Sequence, residues 1–79
     1  MRDVNYQKIR EIMARWEKCS KTDENWSKYV DALRQEAMES GSVDLFCVFM
    51  SIDMAFRPAN DHEAANNLLK LWIEGKTSE

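Results

Sequence analysis

The 79-residue sequence predicts an all-α fold, either a compact four-helix bundle or an irregular four-helix array. Three observations carry this expectation. Apolar residues recur at helical spacing in four consecutive segments. Capping residues stand where those segments begin. The only strong punctuation, Gly41, Pro58 and Gly75, falls near their ends. Helices are expected at about 4–20, 24–40, 43–57 and 61–74 within a single domain spanning 1–79, with a frayed tail at 76–79. A chain of this size buries only about 60% of its unfolded surface, so its stability is marginal without a staple or a partner.

The first helix is expected after Asp3, which can cap free amides, and to run to about Ser20. Tyr6, Ile9, Ile12, Met13, Trp16 and Cys19 gather on one face, with Arg10, Arg15, Lys18 and Lys21 opposite. Thr22 or Asp23 caps the second helix, whose inner stripe is Trp26, Tyr29, Val30, Leu33 and Ala37. Gly41 suits the left-handed position past its end, and Ser42 can cap the next helix.

The third segment is the most apolar: Val43 to Phe56 reads VDLFCVFMSIDMAF, interrupted only by Asp44, Ser51 and Asp53. Its alternation also fits a strand. Helix is preferred because a lone strand would leave its ladder groups unpaired, and because Asp53 and Arg57 sit four apart. An element apolar almost all round must be enclosed, so this helix is expected to be central and buried. Arg57-Pro58-Ala59 should break the chain. Asn60 with Glu63 then forms a capping box for the fourth helix, with Ala64, Ala65, Leu68, Leu69, Trp72 and Ile73 inward and Gly75 as its stop.

The net charge of −3 hides an asymmetry. Residues 1–22 carry +3, residues 23–63 carry −6, and residues 64–79 sum to zero. Such a split bears on partners rather than on fold. Two acidic-side expectations follow. Glu24, Asp31, Glu36, Glu39, Asp44, Asp61 and Glu63 form a negative surface complementary to a basic groove on a partner. Asp53 pairs with Arg57, or else the two make a polar contact in an oligomer. The basic face of Arg10, Arg15, Lys18 and Lys21 offers a weaker alternative, contact with phosphates or a membrane surface, diluted by Glu11 and Glu17.

Catalytic machinery is not expected. His62 is the only histidine, no nucleophile pattern accompanies it, and there is no phosphate loop or metal-ligand spacing. Cys19 and Cys47 read as buried thiols rather than a disulfide; with no signal peptide, this favours a reducing cytoplasm. The three tryptophans are read as core, with the core's edge the alternative for one of them. The five methionines suit an adaptable surface, while Met13, Met50 and Met54 fit the core just as well. The third helix carries no basic residue before Arg57, which excludes a DNA-reading helix after Gly41.

In size, charge and helix content the chain resembles colicin immunity proteins and some phage-encoded anti-CRISPR proteins, small acidic helical proteins that block nucleic-acid-handling proteins. The tandem tyrosine before a proline expected of the immunity proteins is absent. The resemblance implies a non-enzymatic, cofactor-free inhibitor that occludes a basic surface on a larger partner. The alternative is a self-assembling homodimer, because three short helices leave part of so apolar a segment uncovered.

Overall fold

Asn5, not Asp3, starts the first helix of the computed structural model, which describes residues 3–59 and 61–78, with the side chains of Ala59 and His62 outside that description. The Asn5 carboxamide oxygen accepts the Lys8 N–H at 3.1 Å, satisfying one of the free amides of α1 (Tyr6–Lys18). The helix stops two residues short of Ser20. Lys21 folds back so that its ammonium donates to the Trp16 carbonyl and, at 3.1 Å, to the Cys19 carbonyl. The same ammonium lies 4.5 Å from the Trp16 ring centroid, so one cation neutralises the helix end and packs on an indole.

Thr22 caps α2 (Asp23–Ser40), accepting the Asn25 N–H at 3.1 Å. Its other end is a Schellman motif. Gly41 sits at φ 65°, its N–H reaching the Met38 carbonyl at 3.3 Å while Ser42 N–H reaches Ala37 at 3.1 Å. A side chain at that φ costs roughly 1–2 kcal/mol, so glycine is required. Ser42 then accepts the Leu45 N–H at 3.1 Å and opens α3 (Val43–Ala59).

Both expected ends come late, at Ala59 and Thr77. Pro58 lies inside the last turn of α3, where its missing N–H forgoes a single backbone bond. α4 (His62–Thr77) runs through Gly75, and Ser78 N–H closes it on the Glu74 carbonyl at 3.0 Å. Glycine lowers helix propensity by about 1 kcal/mol but does not end a helix whose preceding turn is packed on a core. Asp61 caps α4 by accepting the Ala64 N–H at 3.2 Å; the box expected from Asn60 falls outside the described residues.

Cross-helix pairs define the topology. Asn5 meets Glu36 while Trp16 meets Trp26, so α1 and α2 are antiparallel. Trp26 meets Asp53 and Ser27 meets Arg57, which makes α2 and α3 antiparallel. Asp44 meets Lys76 across α3 and α4. Tyr6 against Trp72, at 5.8 Å between rings, and Asn66 against Met13 close α4 back on α1. The result is an up-down-up-down four-helix bundle. Its radius of gyration of 11.8 Å matches the roughly 11.6 Å expected of a compact chain this long.

Each helix gives one ridge to the core: Ile9, Ile12 and Trp16; Trp26, Tyr29, Leu33 and Ala37; Leu45, Phe49 and Ile52; Ala65, Leu69 and Ile73. Trp16, Trp26 and Tyr29 pack mutually, Trp16 edge-on to Trp26 at 5.5 Å and stacked on Tyr29 at 5.1 Å. Trp72 is only half-buried, at the edge. α3 is central, between α2 and α4, but buried along one ridge only.

One polar network crosses the core. Tyr29 donates its hydroxyl to Asn66 Oδ1 at 2.9 Å, and Asn66 Nδ2 donates to the Met13 carbonyl at 3.1 Å. Asn66, absent from the expected inner face, is thereby satisfied although buried. Burial pushes the Tyr29 hydroxyl far above the ordinary tyrosine value. The unfolded chain releases this proton near pH 10 while the folded one keeps it. Its contribution is therefore full below about pH 10 and declines as pH rises above it, at up to about 1.4 kcal/mol per pH unit. Urea titrations between pH 8 and 11 should show that decline in the native protein and a shallower one in Tyr29→Phe.

Candidate functional site

The outer side of α3 is the feature the core does not absorb. Val43, Phe46, Met50 and Met54 are 74, 43, 41 and 71% exposed, and Cys47 is exposed among them. Cys47 was expected inside, whereas Met50 and Met54 fitted core and adaptable surface equally. All three are outside because a bundle gives α3 two neighbours, α2 and α4, and two neighbours cover one arc of a helix. Leu45, Phe49 and Ile52 fill that arc.

Beside this face runs a groove of about 370 Å³ between α2 and α3, its apolar wall made by Val30, Phe46, Phe49 and Met50. Phe46 tilts against Phe49, ring centroids 4.7 Å apart, so an exposed ring is held by a buried one. Asp31, Arg34, Asp53 and Arg57 line the polar side. Asp53 and Arg57 form the expected pair at 3.3 Å, and Asp53 also accepts the Trp26 indole N–H at 2.8 Å. Arg57 donates to Ser27 Oγ at 3.0 Å. The pair thus ties α3 to the core of α2 and borders the groove. Nothing else in the sequence marked Phe46, Met50 and Met54 as surface; the available signal was the surplus of apolar residues on every side of the segment.

The seven acids do not form one field. Glu36 is the correction: expected on the acidic surface, it is fully buried. Its carboxylate accepts the Asn5 N–H at 2.9 Å and lies 4.0 Å from the Lys8 ammonium. Glu36 shares the inner side of α2 with Leu33 and Ala37, and the amino end of α1 lies over it. Glu24 pairs with Lys28 at 3.6 Å, Asp31 with Arg34 at 3.2 Å, Glu39 with Lys8 at 3.8 Å and Asp44 with Lys76. Hydrogen bonding to Asp44 holds the Lys76 ammonium protonated above the ordinary lysine range. Asp61 is spent on its cap, and Glu63 lines a separate groove with Trp16, Lys21 and Asn66.

The four bases are exposed around α1 rather than along one stripe. Arg15 lines the α1–α2 groove with Lys28, Arg10 lines the α1–α4 groove with Lys70, and Lys21 caps its own helix. Cys19 is half-buried, donating to the Trp16 carbonyl at 3.3 Å, and both thiols are free. Among the described residues, no three of His, Cys, Asp and Glu are placed to share a metal ion. Among them, too, no helix is long and apolar enough to cross a membrane. Compared with known proteins, the chain matches no family model, no curated protein and no solved structure.

Proposed function

We propose that this chain is a non-enzymatic protein-interaction domain that docks through the outer face of α3 and the adjoining α2–α3 groove. One observation carries the reading: the most apolar helix turns Val43, Phe46, Met50 and Met54 to solvent while Leu45, Phe49 and Ile52 anchor it in the core. Exposed methionines adapt to a partner's shape, and Phe46 offers a ring already ordered by Phe49. The groove's mixed rim, Asp31 and Arg34 facing Asp53 and Arg57, is suited to orienting a partner. Occlusion of a basic surface on a nucleic-acid-handling protein would draw on an acidic field. Glu24, Asp31, Glu39 and Asp44 each already stand against a cation, and that supports the α3 face over the acidic one. Both cysteines act as thiols in this reading, which suits a reducing cytoplasm.

A photo-reactive amino acid at position 50, compared with the same group at the exposed Lys70 of α4, tests the proposal in lysate and with the purified chain. Discrete adducts are expected from position 50 and not from position 70. No adduct from position 50 in either sample would remove the α3 face as a docking surface.

A further inference from the structure

We propose that the occupant of the α3 face is a second copy of this chain, its α3 lying antiparallel across the first about a two-fold axis; this rests on the docking reading above. The exposed positions Val43, Cys47, Met50 and Met54 are separated by four, three and four residues. That is the spacing of a helix-pairing seam, and it reads the same in either direction. A two-fold interface requires such self-complementarity, because residue i must meet j while j meets i. Centred between Cys47 and Met50, the pairing sets Val43 against Met54 of the second copy and Cys47 against its Met50, along about 16 Å of helix.

Charge selects the direction. α3 carries Asp44 at its amino end and Arg57 at its carboxyl end, with Asp53 the only other charged residue of the helix. Antiparallel pairing brings Arg57 level with the other copy's α2–α3 turn, near Glu39 and the carbonyl end of α2. It also sets Asp53, held by Arg57 and the Trp26 indole, level with the other copy's Asp44, held by Lys76. Parallel pairing would set Asp44 beside Asp44 and Arg57 beside Arg57. These charges also have partners within their own chain, so they orient the pair more than they strengthen it. A seam of one helix is smaller than the roughly 800 Å² per partner of a stable specific interface, so a micromolar, concentration-dependent dimer is expected.

Sedimentation equilibrium of the purified chain should show conversion from the 9.3 kDa monomer to twice that mass as concentration rises. Met50→Arg and Met54→Arg, both at exposed positions, should weaken association by about tenfold or more with unchanged helical circular dichroism. In a Cys19→Ser background, a short bismaleimide should join two chains through Cys47, and Met50→Arg should abolish the product. A chain that stays monomeric at about 1 mM, or a dimer indifferent to both arginines, overturns the proposal. If the purified chain stays monomeric while the position-50 probe labels other proteins in lysate, the second copy is excluded and the docking reading stands. Absence of adducts in both samples removes both.

Discussion

Replacing Trp26 with alanine is expected to cost about 3–5 kcal/mol, the largest effect of any single truncation in this domain. Net stability for a chain of 79 residues is on the order of 4–12 kcal/mol at about 0.05–0.15 kcal/mol per residue, so this one change removes roughly a quarter of it or more. Three losses coincide there. The indole is 2% exposed and packs edge-on to Trp16 and against Tyr29, so its removal opens a cavity at the junction of α1 and α2. Its N–H is a donor to Asp53, so one link between α2 and α3 goes with it. Arg57, whose guanidinium lies 6.0 Å from the ring, loses that face as well. Trp26→Phe separates these terms: it keeps most of the aromatic volume, removes the N–H, and should cost about 1–3 kcal/mol. Urea unfolding followed by circular dichroism measures both. A loss under about 1 kcal/mol for the alanine variant would contradict the placement of Trp26.

Glu36→Ala is expected to cost about 2–4 kcal/mol, an unusual result for a glutamate in so charged a helix. The carboxylate is fully buried, and a backbone N–H held by a charged acceptor contributes about 1.5–3 kcal/mol. Truncation strands the Asn5 amide and takes the nearby anion from Lys8. Glu36→Gln keeps an acceptor and should cost roughly half as much. Glu39→Ala, three residues on, removes a half-exposed partner of the same lysine and should change stability by about 0.5 kcal/mol or less. Amide exchange adds a positional readout: protection should fall first at the amino end of α1 in Glu36→Ala. Equal effects at positions 36 and 39 would refute the assignment of Glu36 to the interior.

These two residues show how far the sequence is legible. Trp26 sits on an apolar stripe of period 3.6, and its burial follows from that stripe alone. Glu36 lies on the same side of α2, yet its type argues for solvent, and only the arrival of Asn5 and Lys8 from another helix makes burial tolerable. Asn66 is the same case, buried because Tyr29 and the Met13 carbonyl reach it from α2 and α1. The helix ends divide likewise. Gly41 is readable because a left-handed φ is a local demand of the chain. Pro58 and Gly75 misplace the ends only slightly: α3 stops one residue after Pro58, whose missing N–H matters little in a last turn, and an anchored α4 runs two residues past Gly75.

The sequence by itself determined four helices, their order, the apolar inner ridges of α1, α2 and α4 and the Asp53–Arg57 pair, since all of these depend on spacing within one segment. The tertiary structure alone decided which side of α3 is closed. Val43 to Phe56 offers apolar groups in every direction, so no pattern within the helix distinguishes Phe49 from Met50. Two flanking helices make that choice, burying one ridge and leaving Val43, Phe46, Met50 and Met54 at the surface. Spacing is a property of one segment, whereas coverage is a property of its neighbours.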